Sequence, residues 1–185
     1  MFAQTLYLFI IGLVLALLEI QIEGPEGWAA KLPTWRSDKP WLKKLNGGRP
    51  VTGYHLALVS LLLLFFHLPL VWNGWSISGE ARSLSSFLFL VVFWDFLWFV
   101  LNPSFGLRRY SRANIWWFRH WLLGFPVDYY IALLLSFGVV LGGAALSGFE
   151  LGSAAINWLW TFGLLVGFTF VTVMIVGTRK TSQIQ

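Results

Sequence analysis

Glu19, Glu23, His55, Asp95, His120 and Asp128 are the residues of this chain whose types suit metal binding or proton transfer. All but His120, which stands in a short aromatic stretch, lie in or at the ends of apolar runs. An ionised carboxylate there is costly unless it is paired or protonated, and an imidazole needs its hydrogen bonds met, so each is a functional candidate by default. Glu19 and Glu23 stand four residues apart, so on a helix both carboxylates share one face. Mixed carboxylate and imidazole donors suit Zn, Mn or non-haem Fe. No HExxH or other standard metal spacing is present, nor a nucleophile elbow, P-loop, Rossmann fingerprint or Ser-His-Asp arrangement. The chain has no Cys, which removes disulfides, thiolate ligands and cysteine nucleophiles.

Several of these residues also have structural roles open to them. Asp128 follows Pro126 near the start of a helix, where a carboxylate favours the positive end of the macrodipole. His55 comes three residues after Thr52, which suits an N-cap. Asn102 before Pro103 suits a helix end, Glu23 can pair with a loop Lys, and His67 before Pro69 suits a hydrogen-bonded structural role. Glu19 and Asp95 differ. Neither lies at a helix end or has a Lys or Arg in its own span, so each needs a partner from another helix. These two are the expected catalytic or acid/base groups.

The elements that must position these groups are membrane helices. The chain is 57% hydrophobic and 11% charged, against about 25% charged in soluble domains. Its 17 Phe and 12 Trp fit a bilayer and its interfaces. A spanning helix takes about 20 apolar residues. The spans expected are 2–22, 53–72, 84–101, 126–146 and 155–176, giving an all-α integral membrane protein with a single membrane domain over 1–185. The first run has no basic residues before it and is long enough to span, so it reads as a helix rather than a cleaved leader. Residues 115–123 (IWWFRHWLL) are too short and too charged to span. They read as one short interfacial helix, with Asn114 as its cap and Gly124 and Pro126 as its end.

Loop charge orients the bundle. Lys31, Arg36, Lys39, Lys43, Lys44 and Arg49 fall in 24–52, and Arg108, Arg109, Arg112 and Arg119 in 102–125, with Arg179 and Lys180 in the tail. Of the 13 basic residues only Arg82 lies elsewhere. Five spans put all these segments on one side, so the N-terminus is expected outside and the C-terminus in the cytoplasm. The membrane would be a bacterial or archaeal cytoplasmic (cell inner) membrane. The net charge of +5 points to anionic lipid headgroups rather than nucleic acid. Three Trp in 24–52 argue that GWAAKLPTW folds back onto the membrane surface.

This topology gathers Glu19, Glu23, His55, Asp95, His120 and Asp128 at the cytoplasmic level, leaving His67 in the outer half. Asp95 lies seven residues before Asn102 and on the same face, about 10 Å deep at 1.5 Å per residue. The expected function is a metal-dependent membrane enzyme acting on a lipid-like or prenyl-type amphiphile at the cytoplasmic leaflet. Arg108, Arg109, Arg112, Arg119 and Asn102 would bind its substrate, the arginines holding a phosphate headgroup. Three other readings stand beside it: a small oligomeric transporter, channel or proton-relay subunit; a haem protein ligated by His55 and His120; and an assembly partner with no chemistry. GxxxG patterns at Gly138/Gly142 and Gly163/Gly167 fit either packing of spans four and five or a homo-oligomer seam.

Overall fold

The computed structural model of the protein describes residues 1–182, the side chains from 178 onward excepted. Arg179 and Lys180 therefore lie outside the described side chains, and residues 183–185 outside the described chain. Among the described residues, five helices are long and apolar enough to cross a membrane. They are α1 (Phe2–Glu23), α3 (Gly53–Asn73), α4 (Ile77–Leu101), α5 (Val127–Leu146) and α6 (Leu151–Ser182). A short helix α2 (Pro40–Leu45) and a clasp of β1 (Arg36–Ser37) with β2 (Val51–Thr52) occupy the loop between α1 and α3.

Helix α4 is the hub. Half of its apolar window is buried, against 6% for α3 and 11% for the apolar stretch of α6. It carries Phe89, Leu90, Phe93, Trp94, Leu97, Trp98 and Phe99 into the core. It begins seven residues before the expected span, because Ser76 caps it, its hydroxyl accepting from the Gly79 N–H at 3.1 Å, and Glu80 suits the positive end. On α1, Gly12 faces Leu90, Trp94 and Leu97, so the two helices approach closely. Helix α6 leans across the bundle. Its Trp158 meets Phe89 and Phe137, Phe162 meets Phe93, and Phe168 packs on Phe2 and Phe9 of α1.

The GxxxG glycines do not join α5 to α6. A Cβ at Gly138, Gly142, Gly163 or Gly167 would meet nothing within 4 Å, whereas Gly143 lies against Ala81 of α4. The close backbone approach on α5 is thus made to α4, through a glycine outside the pattern.

The interfacial helix expected at 115–123 does not form. The segment is a run of turns ending in a two-stranded hairpin of β3 (Trp121–Leu122) and β4 (Phe125–Pro126). Leu123 and Gly124 both take positive φ, 49° and 86°, as a two-residue primed turn requires. Asn114 caps no helix; its side-chain amide donates to Ser111 Oγ. Aromatic packing wins over helical propensity. Trp117 stacks on Phe99 at 5.9 Å and meets Trp98 and Phe105, and Ile115, Trp117 and Phe118 are all buried. Of the tryptophans in this stretch, Trp116 remains exposed. The segment therefore plugs the end of the bundle.

Candidate metal and acid–base site

The end of the bundle that carries the basic loops holds an open cavity of about 530 Å3. Its polar lining comes from the last turns of α1 (Glu19, Glu23), the first turn of α3 (His55), the lower part of α4 (Asp95) and the first turn of α5 (Asp128, Tyr129). Five of the six chemistry-bearing residues singled out in the sequence therefore meet there.

Glu19, Glu23 and His55 form the tightest group. Each offers one ligand atom, and these atoms all lie within 4.8 Å of one another. Glu19 and Glu23 are both buried, one helical turn apart. Glu23 ends α1, and its Oε1 accepts from the Ala29 N–H at 2.5 Å and lies 3.5 Å from His55 Nε2. The hydrogen bond depends on a turn in which Gly27, Trp28 and Ala29 all take positive φ. The guanidinium of Arg36 donates to the Ala29 carbonyl and pins that turn. Gly27 is obligatory, since a Cβ there would lie 2.6 Å from the Trp117 ring.

His55 is held from both sides. Thr52 caps α3, its Oγ1 accepting from the His55 N–H at 3.2 Å and lying 2.7 Å from the ring Nδ1. Trp28 stacks on the imidazole at 4.3 Å, and its indole N–H donates to the Pro50 carbonyl. With Nδ1 occupied by Thr52, Nε2 is the nitrogen directed at the carboxylates, the arrangement by which metal-binding histidines are oriented. The Tyr54 hydroxyl and the Trp94 indole N–H face the Glu19 carboxylate without closing a hydrogen bond of ordinary geometry. Trp94 is 7% exposed, so its N–H is a buried donor aimed at the site.

Asp95 finds its partner on α5, accepting a hydrogen bond from the Tyr129 hydroxyl. The Tyr110 hydroxyl faces Tyr129 in turn. Burial pushes the Tyr110 phenol well above its ordinary range, so it stays protonated. Asp128 pairs with Arg49 at 3.2 Å. Arg49 lies against the Trp28 ring at 4.6 Å and near Phe118 at 5.5 Å, and its Nε donates to the Asn46 carbonyl.

The remaining sequence candidates lie elsewhere. His120 is exposed and outside the cavity lining. Asn102 is buried, but its amide donates to the Gly24 carbonyl at 2.9 Å and its oxygen accepts from the Ser104 N–H, so it closes the end of α4. Arg108, Arg109, Arg112 and Arg119 are exposed and do not line the cavity. Arg109 covers Phe105, and Arg119 lies against Gly48. His67 pairs with Glu80 at 2.9 Å towards the other end of α3.

Sequence reasoning missed Arg49, Trp28 and Tyr129 as site residues. Arg49 was one of six basic residues in its loop, and only the β1–β2 clasp distinguishes it. Tyr129 had a readable signal: it directly follows Asp128 in the first turn of a span, at the depth of Asp95. Compared with known proteins, the chain matches no family model, no curated protein and no solved structure.

Proposed function

We propose that the protein is a membrane-embedded, metal-dependent enzyme that acts on a lipid-like amphiphile, with the basic end of the bundle in the cytoplasm. The observation that carries this reading is the convergence of Glu19, Glu23 and His55 ligand atoms within 4.8 Å inside a cavity. Two carboxylates and one imidazole suit Zn, Mn or Fe(II) and leave coordination positions open to water or substrate. Bound there, such an ion would supply Lewis acidity and a nucleophilic water near neutral pH.

The residues of the chain divide the remaining work. Thr52 and Trp28 hold the imidazole plane, and the Ala29 N–H holds Glu23. The Asp95–Tyr129 pair, lining the same cavity, is placed to hand a proton to a leaving group or take one from a nucleophile. The reaction class is therefore hydrolysis or group transfer. The cavity is lined on its apolar side by Leu56 and Val59 of α3, Val91 of α4 and Ala132 of α5, and Leu56 is exposed. That apolar side suits an alkyl chain arriving from the bilayer, and the exposed arginines of 102–125 suit anionic headgroups around it.

A proton relay fits less well. The other titratable pair, His67–Glu80, is separated along α4 by Phe89, Leu90, Val92 and Phe93, which are apolar and buried. Elemental analysis of the purified protein tests the proposal. Wild type should carry about one transition-metal ion per chain, and Glu23→Gln or Glu19→Gln should lose it. Folded wild-type protein that holds no metal, and takes none up on titration with Zn, Mn or Fe(II), sinks the reading.

A further inference from the structure

We infer that Arg49 is the recognition residue for a phosphate group on the substrate, whose alkyl chain lies in the cleft between α3 and α5. This rests on the proposed metal site and names the substrate class it takes. Arg49 differs from the other arginines of the basic loops in being built into the cavity wall. Its side chain is 15% exposed, its Nε is fixed on the Asn46 carbonyl, and its guanidinium packs against the Trp28 ring. The opposing imidazole of His55 packs against the same Trp28, so the cation and the ligand set share one aromatic wall. Arg49 is also within electrostatic reach of both His55 and Asp95.

Its present anion is replaceable. Asp128 Oδ2 meets only Nη2, at 3.2 Å, and the Asp128 side chain is 47% exposed. Nη1 makes no hydrogen bond among the described residues. A guanidinium with one free terminal nitrogen and one loosely held offers the fork that phosphate oxygens take bidentately. A carboxylate at the rim of a site, bonded to the cation that a ligand would use, acts as its stand-in. A phosphate entering beside Glu19, Glu23 and His55 would displace Asp128 from Arg49. The opening past Leu56 and Val59 then receives the chain, which makes a phosphorylated amphiphile the fitting ligand rather than a free phosphate.

Binding of three probes to the full chain in micelles of an uncharged, phosphate-free maltoside detergent separates the possibilities, with intrinsic Trp fluorescence as readout. The probes are a short-chain phosphatidic acid, the matching diacylglycerol, and inorganic phosphate. Phosphatidic acid should bind, diacylglycerol should not, and inorganic phosphate should bind more weakly. Arg49→Gln should weaken phosphatidic acid binding about ten- to a hundredfold, as for a lost charge-assisted hydrogen bond. Arg49→Lys should recover part of it, and Asp128→Asn should tighten it severalfold. Val59→Trp should reduce phosphatidic acid to the affinity of inorganic phosphate while leaving the latter unchanged. Metal content, measured on the same samples, stays at the wild-type level in Arg49→Gln if the two readings are separate. Equal binding of diacylglycerol and phosphatidic acid overturns the inference. So does unchanged phosphatidic acid affinity in Arg49→Gln, or a looser complex in Asp128→Asn. Absence of metal from wild type would instead overturn the metal reading, with the phosphate result standing by itself.

Discussion

Replacing Thr52 by alanine separates a structural histidine from a ligand histidine. Thr52 is fully buried, and its one hydroxyl oxygen performs two tasks. It accepts the His55 backbone N–H at 3.2 Å, capping α3, and it holds the ring Nδ1 at 2.7 Å. Loss of an N-cap costs about 1 kcal/mol of stability, within a range of about 0.5–2. Loss of the hydrogen bond that orients a metal-binding imidazole costs about 10- to 100-fold in metal affinity. At about 1.4 kcal/mol per tenfold, that is about 1.4–2.8 kcal/mol of binding free energy. The two effects appear in different measurements. Thr52→Ala should lower the denaturant midpoint of metal-free protein by an amount matching the cap alone. In a competition titration with Zn or Mn it should show the larger loss in affinity. Thr52→Ser keeps the oxygen and should bind metal within about twofold of wild type, a margin well below 1.4 kcal/mol.

The refuting result is specific. If Thr52→Ala loses the cap energy but keeps wild-type metal affinity, His55 does not bind through Nε2, and the three-residue site is wrong. Binding should also weaken at low pH, because the imidazole must be neutral and the carboxylates ionised to accept an ion.

Tyr129→Phe removes the donor to Asp95; turnover should fall about 10²- to 10⁴-fold, as for a lost acid–base group, while metal content stays unchanged. Gly143→Ala forces a Cβ against that of Ala81 and should destabilise the fold by about 1–3 kcal/mol. Gly138→Ala, one turn and a residue earlier in open space, should be neutral or stabilising by up to about 1 kcal/mol; denaturant midpoints of the two variants check the contrast. Because burial raises the Tyr110 phenol, stability should not depend on this group below about pH 10, where it is neutral in both states. Above that the unfolded chain releases the proton and the folded chain does not, so stability falls as pH rises. Tyr110→Phe should make that fall shallower in unfolding midpoints taken between about pH 9 and 12.

The helices were legible because bilayer length and apolar composition leave a long run of residues few alternatives. The boundaries at α1 and α3 moved by single residues for that reason, while α4 grew backwards where Ser76 and Glu80 supplied a start signal beyond the apolar run. The level at which Glu19, Glu23, His55, Asp95 and Asp128 meet was also legible, since helix direction alone sets depth. Which of them touch was not. Asp95 turned to Tyr129 and Asp128 to Arg49, and those pairings depend on helix rotation and on the loop clasp, which no single-helix period encodes. Residues 115–123 misled because hydropathy sees Trp and Phe as surface anchors. Here Trp117 found Phe99 and Phe105 beneath it, and burial against rings outweighed the headgroup interface. His120 and Arg119 lie on the exposed side of that segment, and Arg108, Arg109 and Arg112 are exposed in the residues before it.

The charge arrangement at this end of the bundle is a second reason for the proposed ion. Glu19, Glu23, Asp95 and Asp128 line the cavity with Arg49 as the basic residue among them, and Arg49 is engaged by Asp128. Arg36 reaches the backbone of Ala29 rather than a carboxylate. The hydrogen-bond donors that face the other three carboxylates are neutral: Ala29 N–H for Glu23, Tyr129 hydroxyl for Asp95, and the unclosed Trp94 and Tyr54 groups for Glu19. Carboxylates held away from water need a compensating partner. Protons alone would satisfy the charge, yet they give no reason for His55 to present Nε2 to the same point from a capped and stacked position. The divalent ion proposed above would account for the carboxylates and the histidine together. It also leaves Asp95, tied to a tyrosine and outside the tight three-residue group, free to serve as the acid–base partner.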